Sequence, residues 1–172
     1  MHEFVAAECG IRQLHARYVD AIWRKDAAAV GNCFAEDGEW RVGGAVMRGR
    51  EQVVAAMGNV FPRFTRILMT FRTPIVELGE GGTASARTYV TENSVYADGK
   101  PFAPIGIYFE RFVCEAGVWR FKWRLFQTNY AGPPDLSGSF FEVPDYGAPP
   151  ALPPLDEITI DRSGSGPKVP AQ

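Results

Sequence analysis

The chain has 172 residues, of which 46% are hydrophobic and 22% charged, and its formal net charge is −2. This length suits one domain with a sizeable core, and the absence of a basic block argues against binding to nucleic acid or an anionic membrane. No apolar run approaches the ~20 residues that span a bilayer. The scattered cysteines, Cys9, Cys33 and Cys114, predict a reducing cytoplasm rather than a disulfide framework, and no signal peptide is expected.

The first third of the chain predicts three helices. Apolar residues recur at three- and four-residue spacing over residues 3–24, which indicates an amphipathic helix. Asp26 suits the N-cap of a second, short helix over residues 27–34. A short strand over residues 39–42 follows, and a third helix fits residues 50–60.

The next stretch predicts four antiparallel strands in a meander, over residues 65–78, 83–96, 101–114 and 118–127. Together with the helices they predict an α+β fold in which a curved sheet wraps against the helices.

The last two strands form a hairpin over residues 106–127. A three-residue loop ending at Gly117 would place Phe109 opposite Trp123 and Glu110 opposite Lys122. This register predicts an aromatic face that must be covered and a charged face that meets water, so the favoured interpretation of Glu110 is a surface ion pair.

Beyond residue 130 the composition changes. Residues 131–161 are rich in proline but carry many large apolar side chains, which predicts an extended arm that packs on its own domain or on a partner subunit. Residues 162–172 are polar and rich in Gly, Ser and Pro, which predicts a disordered tail. The cone-forming domain is therefore placed at residues 1–130.

Several motifs in this order resemble the nuclear transport factor 2-like superfamily, in particular its SnoaL-like members. They are Ile11-x-x-Leu14-x-x-x-Tyr18 with Asp26, the segment 34–40 entering the first strand, the segment 47–50 before the third helix, and the segment 117–121 of the hairpin. The resemblance covers residues 4–128. It implies an α+β cone that encloses an apolar pocket, and relatives of this kind include ketosteroid isomerase, scytalone dehydratase and polyketide cyclases.

Tyr18 is the first catalytic candidate, because its spacing to Asp26 resembles the ketosteroid isomerase pattern, in which such a tyrosine donates a hydrogen bond to an oxyanion. A tyrosine that only anchors the first helix is the open alternative. His15 lies one helical turn earlier and is the second candidate, as an acid/base partner of Tyr18 or as a structural histidine. The pocket walls are expected to be Trp40, Phe71, Tyr89, Thr91, Asn93, Phe109 and Trp123. For Tyr89, Thr91 and Asn93, which share one face of a strand, a solvated face is the open alternative.

Other catalytic groups of these relatives do not carry over. The position of the isomerase base falls on Val42, and the tyrosine–aspartate pair of scytalone dehydratase falls on Ile22 and Trp23. The second oxyanion acid of the isomerase falls on Phe109 or Glu110, depending on a one-residue shift. With only two histidines, the chain has no counterpart of the dehydratase's strand histidines.

Two functions therefore stay open. The first is a cofactor-independent lyase or isomerase (dehydration, C–C cleavage or double-bond shift) for a small apolar, possibly aromatic substrate. The second is a noncatalytic binding or assembly module resembling the small subunit of aromatic-ring dioxygenases. No cofactor and no metal site are expected, and the predicted partners are a small molecule and further copies of the chain, in a homodimer or higher homo-oligomer.

Overall fold

The computed structural model describes residues 2–164 and has the predicted α+β architecture. The helices are α1 His2–Trp23, α2 Ala27–Asn32 and α3 Arg50–Val60. The strands are β1 Phe34–Val42, β2 Ala45–Arg48, β3 Phe64–Phe71, β4 Ile75–Leu78, β5 Thr83–Tyr96, β6 Pro101–Phe102, β7 Ile105–Glu115, β8 Val118–Ala131 and β9 Ser139–Phe140. Asp26 caps α2 as predicted, because its Oδ1 accepts a hydrogen bond of 2.9 Å from the Ala29 amide.

The strands form one curled, mixed sheet in the order β2-β1-β8-β7-β5-β3. The predicted meander is confirmed for β3, β5, β7 and β8, while β1 joins it parallel to β8. Helix α1 packs against β3 and β8 on the concave side, and its buried stripe includes Ile11, Leu14, Tyr18 and Ile22. The cone predicted from the sequence is thus present.

Several details of the strand prediction were wrong. The strand predicted over residues 101–114 is divided into β6 and β7, and the strand predicted over residues 39–42 already begins at Phe34. The long strand over residues 65–78 is interrupted at residues 72–74, where Pro74 cannot donate to a ladder, so that β3 and β4 pair with different parts of β5. Strand β2 was missed. It returns along β1 through a turn at Gly43 and Gly44, whose φ angles of 57° and 78° favour glycine.

The register of the β7–β8 hairpin was also wrong, and this error hid the buried charges. The loop has two residues, Ala116 and Gly117, both with positive φ, and Glu115 pairs with Val118. A β-bulge then interrupts the ladder between the Phe112–Phe121 pair and the Arg111–Trp123 pair, so that Lys122 is the extra residue.

The bulge changes which side chains of β8 share a face. Phe121 and Arg124 both point to the concave side, where each is fully buried, whereas Trp123 and Leu125 point to the convex side. Glu110 pairs with Arg124 instead of Lys122. The predicted solvent-facing row of charges is therefore wrong for Glu110 and Arg124, because this part of the sheet faces the helices.

The arm covers the convex face of its own sheet. Val143, Tyr146 and Leu152 pack on a cluster formed by Phe109, Trp123 and Leu125. Hydrogen bonds add to this contact, since Trp123 Nε1 donates to the Leu155 carbonyl at 3.2 Å, and the Arg87 guanidinium donates to the carbonyls of Gly147 and Ala151.

The end of the arm is also held in place. Arg162 Nη1 donates to the carbonyls of Thr128 and Glu142, at 2.8 and 3.3 Å, and its guanidinium lies 4.5 Å from the centre of the Phe141 ring. Residues 162–164 therefore belong to the arm rather than to the predicted disordered tail, and the rest of that tail, residues 165–172, lies outside the described residues.

Candidate functional site

A cavity of about 370 Å³ lies between the helices and the concave face of the sheet. Its wall is mostly apolar and aromatic: Ile22, Trp40, Val42, Met47, Ala56, Met57, Val60, Phe64, Ile67, Met69, Val90, Phe102, Pro104 and Phe126 contribute to it. Tyr18, Glu92, Tyr96 and Tyr108 add polar groups from α1, β5 and β7, and Arg63 and Thr128 also contribute. The end of the arm, residues 161–163, forms part of the same wall. Cavities of this size and composition suit small, largely apolar molecules.

Glu92 is the candidate for a catalytic base in this cavity. It lies on the concave side of β5, half-buried, and the Ser94 hydroxyl donates a hydrogen bond to its Oε1. Burial raises the pKa of Glu92 above its usual range, and the hydrogen bond from Ser94 opposes the shift only in part. A carboxylate with a raised pKa is a stronger base than one in water.

Two phenols share this wall with Glu92. Tyr18 is fully buried among rings, and its hydroxyl, which interacts with the Tyr108 hydroxyl and the Arg124 guanidinium, makes no well-formed hydrogen bond within residues 2–164. Burial raises the pKa of both Tyr18 and Tyr108, and the Arg124 charge lowers each, opposing that rise. Neutral phenols can donate hydrogen bonds to an oxygen that gains negative charge.

Behind the phenols lies a buried ionic network. Arg124 Nε donates to Glu110 Oε1 at 2.9 Å, and Glu110 Oε2 accepts hydrogen bonds from Thr88 at 2.7 Å and from His15 Nε2 at 2.9 Å. Burial alone would raise the pKa of Glu110, but its attraction to His15 and Arg124 and these hydrogen bonds keep it below the usual range. Glu110 is therefore an anionic anchor for Arg124.

The structure distributes the sequence-predicted site residues over three environments. Tyr18 and Trp40 line the cavity. His15 and Phe71 lie deeper, with their rings edge to face and ring centres 5.0 Å apart, and His15 contacts Glu110 rather than the cavity. Phe71 supports the Tyr18 ring from below, at 5.8 Å between centres.

The remaining residues that the sequence predicted as pocket walls lie on the convex face of the sheet, away from the cavity. Tyr89, Thr91 and Asn93 alternate with the concave residues of β5 and so point outwards, with Tyr89 44% exposed. Phe109 and Trp123 lie under the arm on the convex side. None of these five residues lines the cavity.

Sequence reasoning missed Glu92, Tyr108 and Arg124. The signal for Glu92 was the row of small and apolar residues at alternate positions of β5, Ala84, Ala86, Val90, which marks the concave face on which Glu92 also lies. The signal for the Glu110–Arg124 pair was the strand β7, which is apolar on both faces and so must be covered on both.

Comparison with solved structures places this fold in a class, the α+β cones in which a curled sheet wraps against an N-terminal helix. A hexachlorocyclohexane dehydrochlorinase, LinA type 2, superposes with a TM-score of 0.71 at 18% sequence identity, over 81% of this chain and 95% of that one. A proposed scytalone dehydratase from Novosphingobium aromaticivorans gives 0.72 at 17% identity, over 91% and 99%. ActVI-ORFA from Streptomyces coelicolor gives 0.62 at 20% identity, over 70% and 96%.

The sequence comparisons name the family. The model of the SnoaL-like domain matches residues 3–124, so the chain belongs to the SnoaL-like family, as its motifs predicted. The search of curated proteins gave no significant match. In the part of the chain that the structure describes, no helix is long and apolar enough to cross a membrane. Within residues 2–164 no three His, Cys, Asp or Glu side chains come together as a metal-binding group.

Proposed function

We propose that this protein is a cofactor-independent lyase or isomerase that acts on a small, mostly apolar and aromatic substrate. The observation that carries the proposal is the convergence of the Glu92 carboxyl group and two buried phenols, Tyr18 and Tyr108, in a mostly apolar cavity. The other carboxyl group in the lining, Asp161 on the arm, is exposed. The names of two structural neighbours, a dehydrochlorinase and a proposed dehydratase, support the elimination class. The rings of Trp40 and Phe126 favour an aromatic substrate.

In the proposed reaction Glu92 takes a proton from a carbon of the substrate. The electron pair of that C–H bond then forms a new double bond. In a lyase reaction a leaving group departs from the neighbouring carbon with its bonding pair, and in an isomerase reaction Glu92 returns the proton to another carbon. Tyr18 and Tyr108 donate hydrogen bonds to the substrate oxygen that gains charge, which stabilises the transition state.

The pH dependence follows from the burial of Glu92. The base must be ionised, and its pKa lies above the usual range, so the rate rises with pH through that higher pKa rather than near 4. On the alkaline side the rate should fall only when Tyr18 and Tyr108 ionise. Because burial raises the pKa of both phenols, this fall lies at high pH.

5-Nitrobenzisoxazole tests the base directly. A base removes the C3 proton of the isoxazole ring, the electron pair of that C–H bond completes a nitrile, and the N–O bond breaks to release a coloured cyanonitrophenolate, with no other reactant. We expect the wild-type protein to open this ring, and Glu92→Gln to lower kcat/KM by about 10²-fold or more. Glu77→Gln, on the exposed part of β4, is the matched control and should leave the rate unchanged.

Equal rates for Glu92→Gln and Glu77→Gln would contradict the proposal. A folded wild-type protein that binds the compound without opening it would favour the alternative, a noncatalytic binding or assembly module. The noncatalytic alternative is favoured by one observation: among the described residues that line the cavity, none is a histidine. Assembly as a homodimer in the cytoplasm stays a prediction, and sedimentation measures the association state.

A further inference from the structure

The side chain of Arg124 is enclosed by aromatic rings at the back of the cavity wall. Its guanidinium carbon lies 3.8 Å from the ring centre of Tyr108, 3.9 Å from that of Phe121 and 4.3 Å from that of Tyr18. The side chain has no solvent-exposed surface. A guanidinium over the face of a ring is attracted by the negative π-face, more strongly where water is excluded.

The hydrogen bonds of Arg124 are incomplete. Only Nε reaches Glu110, in a single hydrogen bond instead of the two-pronged arrangement that arginine usually makes with a carboxylate. Nη1 and Nη2 make no well-formed hydrogen bond among residues 2–164, and the Tyr18 hydroxyl is a polar group with which the guanidinium interacts. Buried N–H groups without partners are costly, and they point to a role beyond holding Glu110 in place.

We propose that Arg124 is a positioning residue that acts through Tyr18 and Tyr108, as a buried positive pole that selects substrates carrying or developing negative charge on an oxygen, such as phenols and enolisable ketones. The inference rests on the proposed function for the location of the site. The Tyr18 and Tyr108 rings lie between the guanidinium and the cavity, so the charge reaches the substrate without a direct contact.

The other charged and titratable groups around Arg124 give the field its direction. Glu110 and His15 lie behind it, and the Cys33 thiol, whose pKa burial raises to about 11, is neutral. Glu92 lines the cavity from β5. The wall therefore carries the basic carboxylate of Glu92 on β5 and, at a separate place, the two phenols with the positive charge of Arg124 behind them. A substrate binds with its acidic C–H towards Glu92 and its oxygen towards the phenols.

The experiment uses 4-nitrophenol, whose anion is yellow and whose neutral form is colourless. Titration of the bound ligand gives its apparent pKa in the complex. Arg124→Met alone would leave Glu110 as an unpaired buried charge and could unfold the protein, so the main variant is the charge-neutral Glu110→Gln/Arg124→Met. We expect the preference for the phenolate over the neutral phenol to fall at least about tenfold in this double variant, which is one pKa unit of the ligand.

Glu110→Gln is the second variant, because it keeps Arg124 and removes the opposing negative charge. It should increase the preference for the phenolate above that of the wild type. Nitrobenzene, which has no ionisable group, is the control ligand and should bind the double variant within about threefold of the wild type, which shows that the cavity keeps its shape.

The same apparent ligand pKa in the wild type, Glu110→Gln and the double variant would overturn the inference. So would a fall in nitrobenzene affinity as large as the fall in phenolate affinity, since that result means a structural role only. The outcome is independent of the Glu92 test, because ring opening by Glu92 can persist while phenolate selection fails, and the reverse.

Discussion

Tyr18 belongs to the core and to the cavity wall at once. Its ring is fully buried against Phe71, Trp40 and Phe121, while its hydroxyl makes no well-formed hydrogen bond within residues 2–164. A buried hydroxyl that is not fully hydrogen-bonded lowers the stability of the free protein. A ligand oxygen that accepts from this hydroxyl would remove that cost.

Tyr18→Phe should consequently keep the fold and lose activity. We expect the rate of nitrobenzisoxazole opening to fall at least about tenfold, which corresponds to about 1.4 kcal/mol of transition-state stabilisation. Steady-state kinetics and thermal unfolding measure the two properties separately. Tyr89→Phe, on the convex face, is the matched control, and a folded Tyr18→Phe protein with the turnover of this control would contradict the catalytic role.

The kind of secondary structure that holds each residue explains why the sequence identified Tyr18 but missed Arg124. Tyr18 lies on a helix, where the spacing of three and four residues fixes the face of each side chain. Arg124 lies on a strand whose face depends on parity, and the parity changes at the bulge of Lys122. Nothing in the alternation of Arg120, Lys122 and Arg124 indicates that the last of these three basic residues is buried.

At the scale of elements, the sequence predicted well those features that rest on local chemistry. The α3 boundaries and those of β5 match the prediction because Pro62 and the turn of residues 79–82 mark them. The destination of the arm could not be predicted, since its apolar residues show that it packs but not on what. The structure shows that it packs on Phe109 and Trp123 of its own sheet.

Arg162 connects the arm to the cavity and can be tested alone. Arg162→Ala removes the hydrogen bonds to the Thr128 and Glu142 carbonyls and so frees residues 161–163 from the cavity wall. We expect 4-nitrophenol to bind about tenfold more weakly and to dissociate faster, because the cavity becomes open to water. Stopped-flow fluorescence measures the association and dissociation rates, and their ratio gives the affinity.

The loss of two hydrogen bonds should cost the fold only about 1–3 kcal/mol, so the cone remains folded at room temperature. Arg66→Ala, at an exposed position of β3, controls for the removal of a surface charge. Identical binding rates in the two variants would show that the end of the arm does not close the cavity.

For the molecule as a whole, the sheet is covered on both faces, by helices on the concave side and by the arm on the convex side. This arrangement accounts for aromatic residues on both faces of β7 and β8. It also places ionisable groups where their protonation affects the free energy of unfolding. For Glu92 the direction of the pH dependence of the free energy of unfolding follows directly, because burial raises its pKa.

The contribution of Glu92 to the free energy of unfolding should fall as the pH rises from about 4, the ordinary glutamate value, through the raised pKa of Glu92. Below that range both the folded and the unfolded chain keep the proton, and above it the folded state bears the cost of a buried charge. Carboxylates with a lowered pKa, such as Glu110, act in the opposite direction, so the comparison with Glu92→Gln isolates this contribution. Glu92→Gln should therefore match the wild type in urea unfolding at pH 4 and exceed it at pH 8. An equal difference between the two proteins at both pH values would show that Glu92 ionises as freely in the fold as in water.

The bulge at Lys122 has a consequence for insertions and deletions. Because Phe121 and Arg124 face the same side with two residues between them, removal of Lys122 would leave a regular strand with Phe121, Arg124 and Phe126 still directed inwards. Removal of Leu125 instead would turn every later residue of β8 to the opposite side. A SnoaL-like chain one residue shorter at Lys122 could thus keep the same interior, and an alignment gap there would mark a change in chain length rather than a change in chemistry.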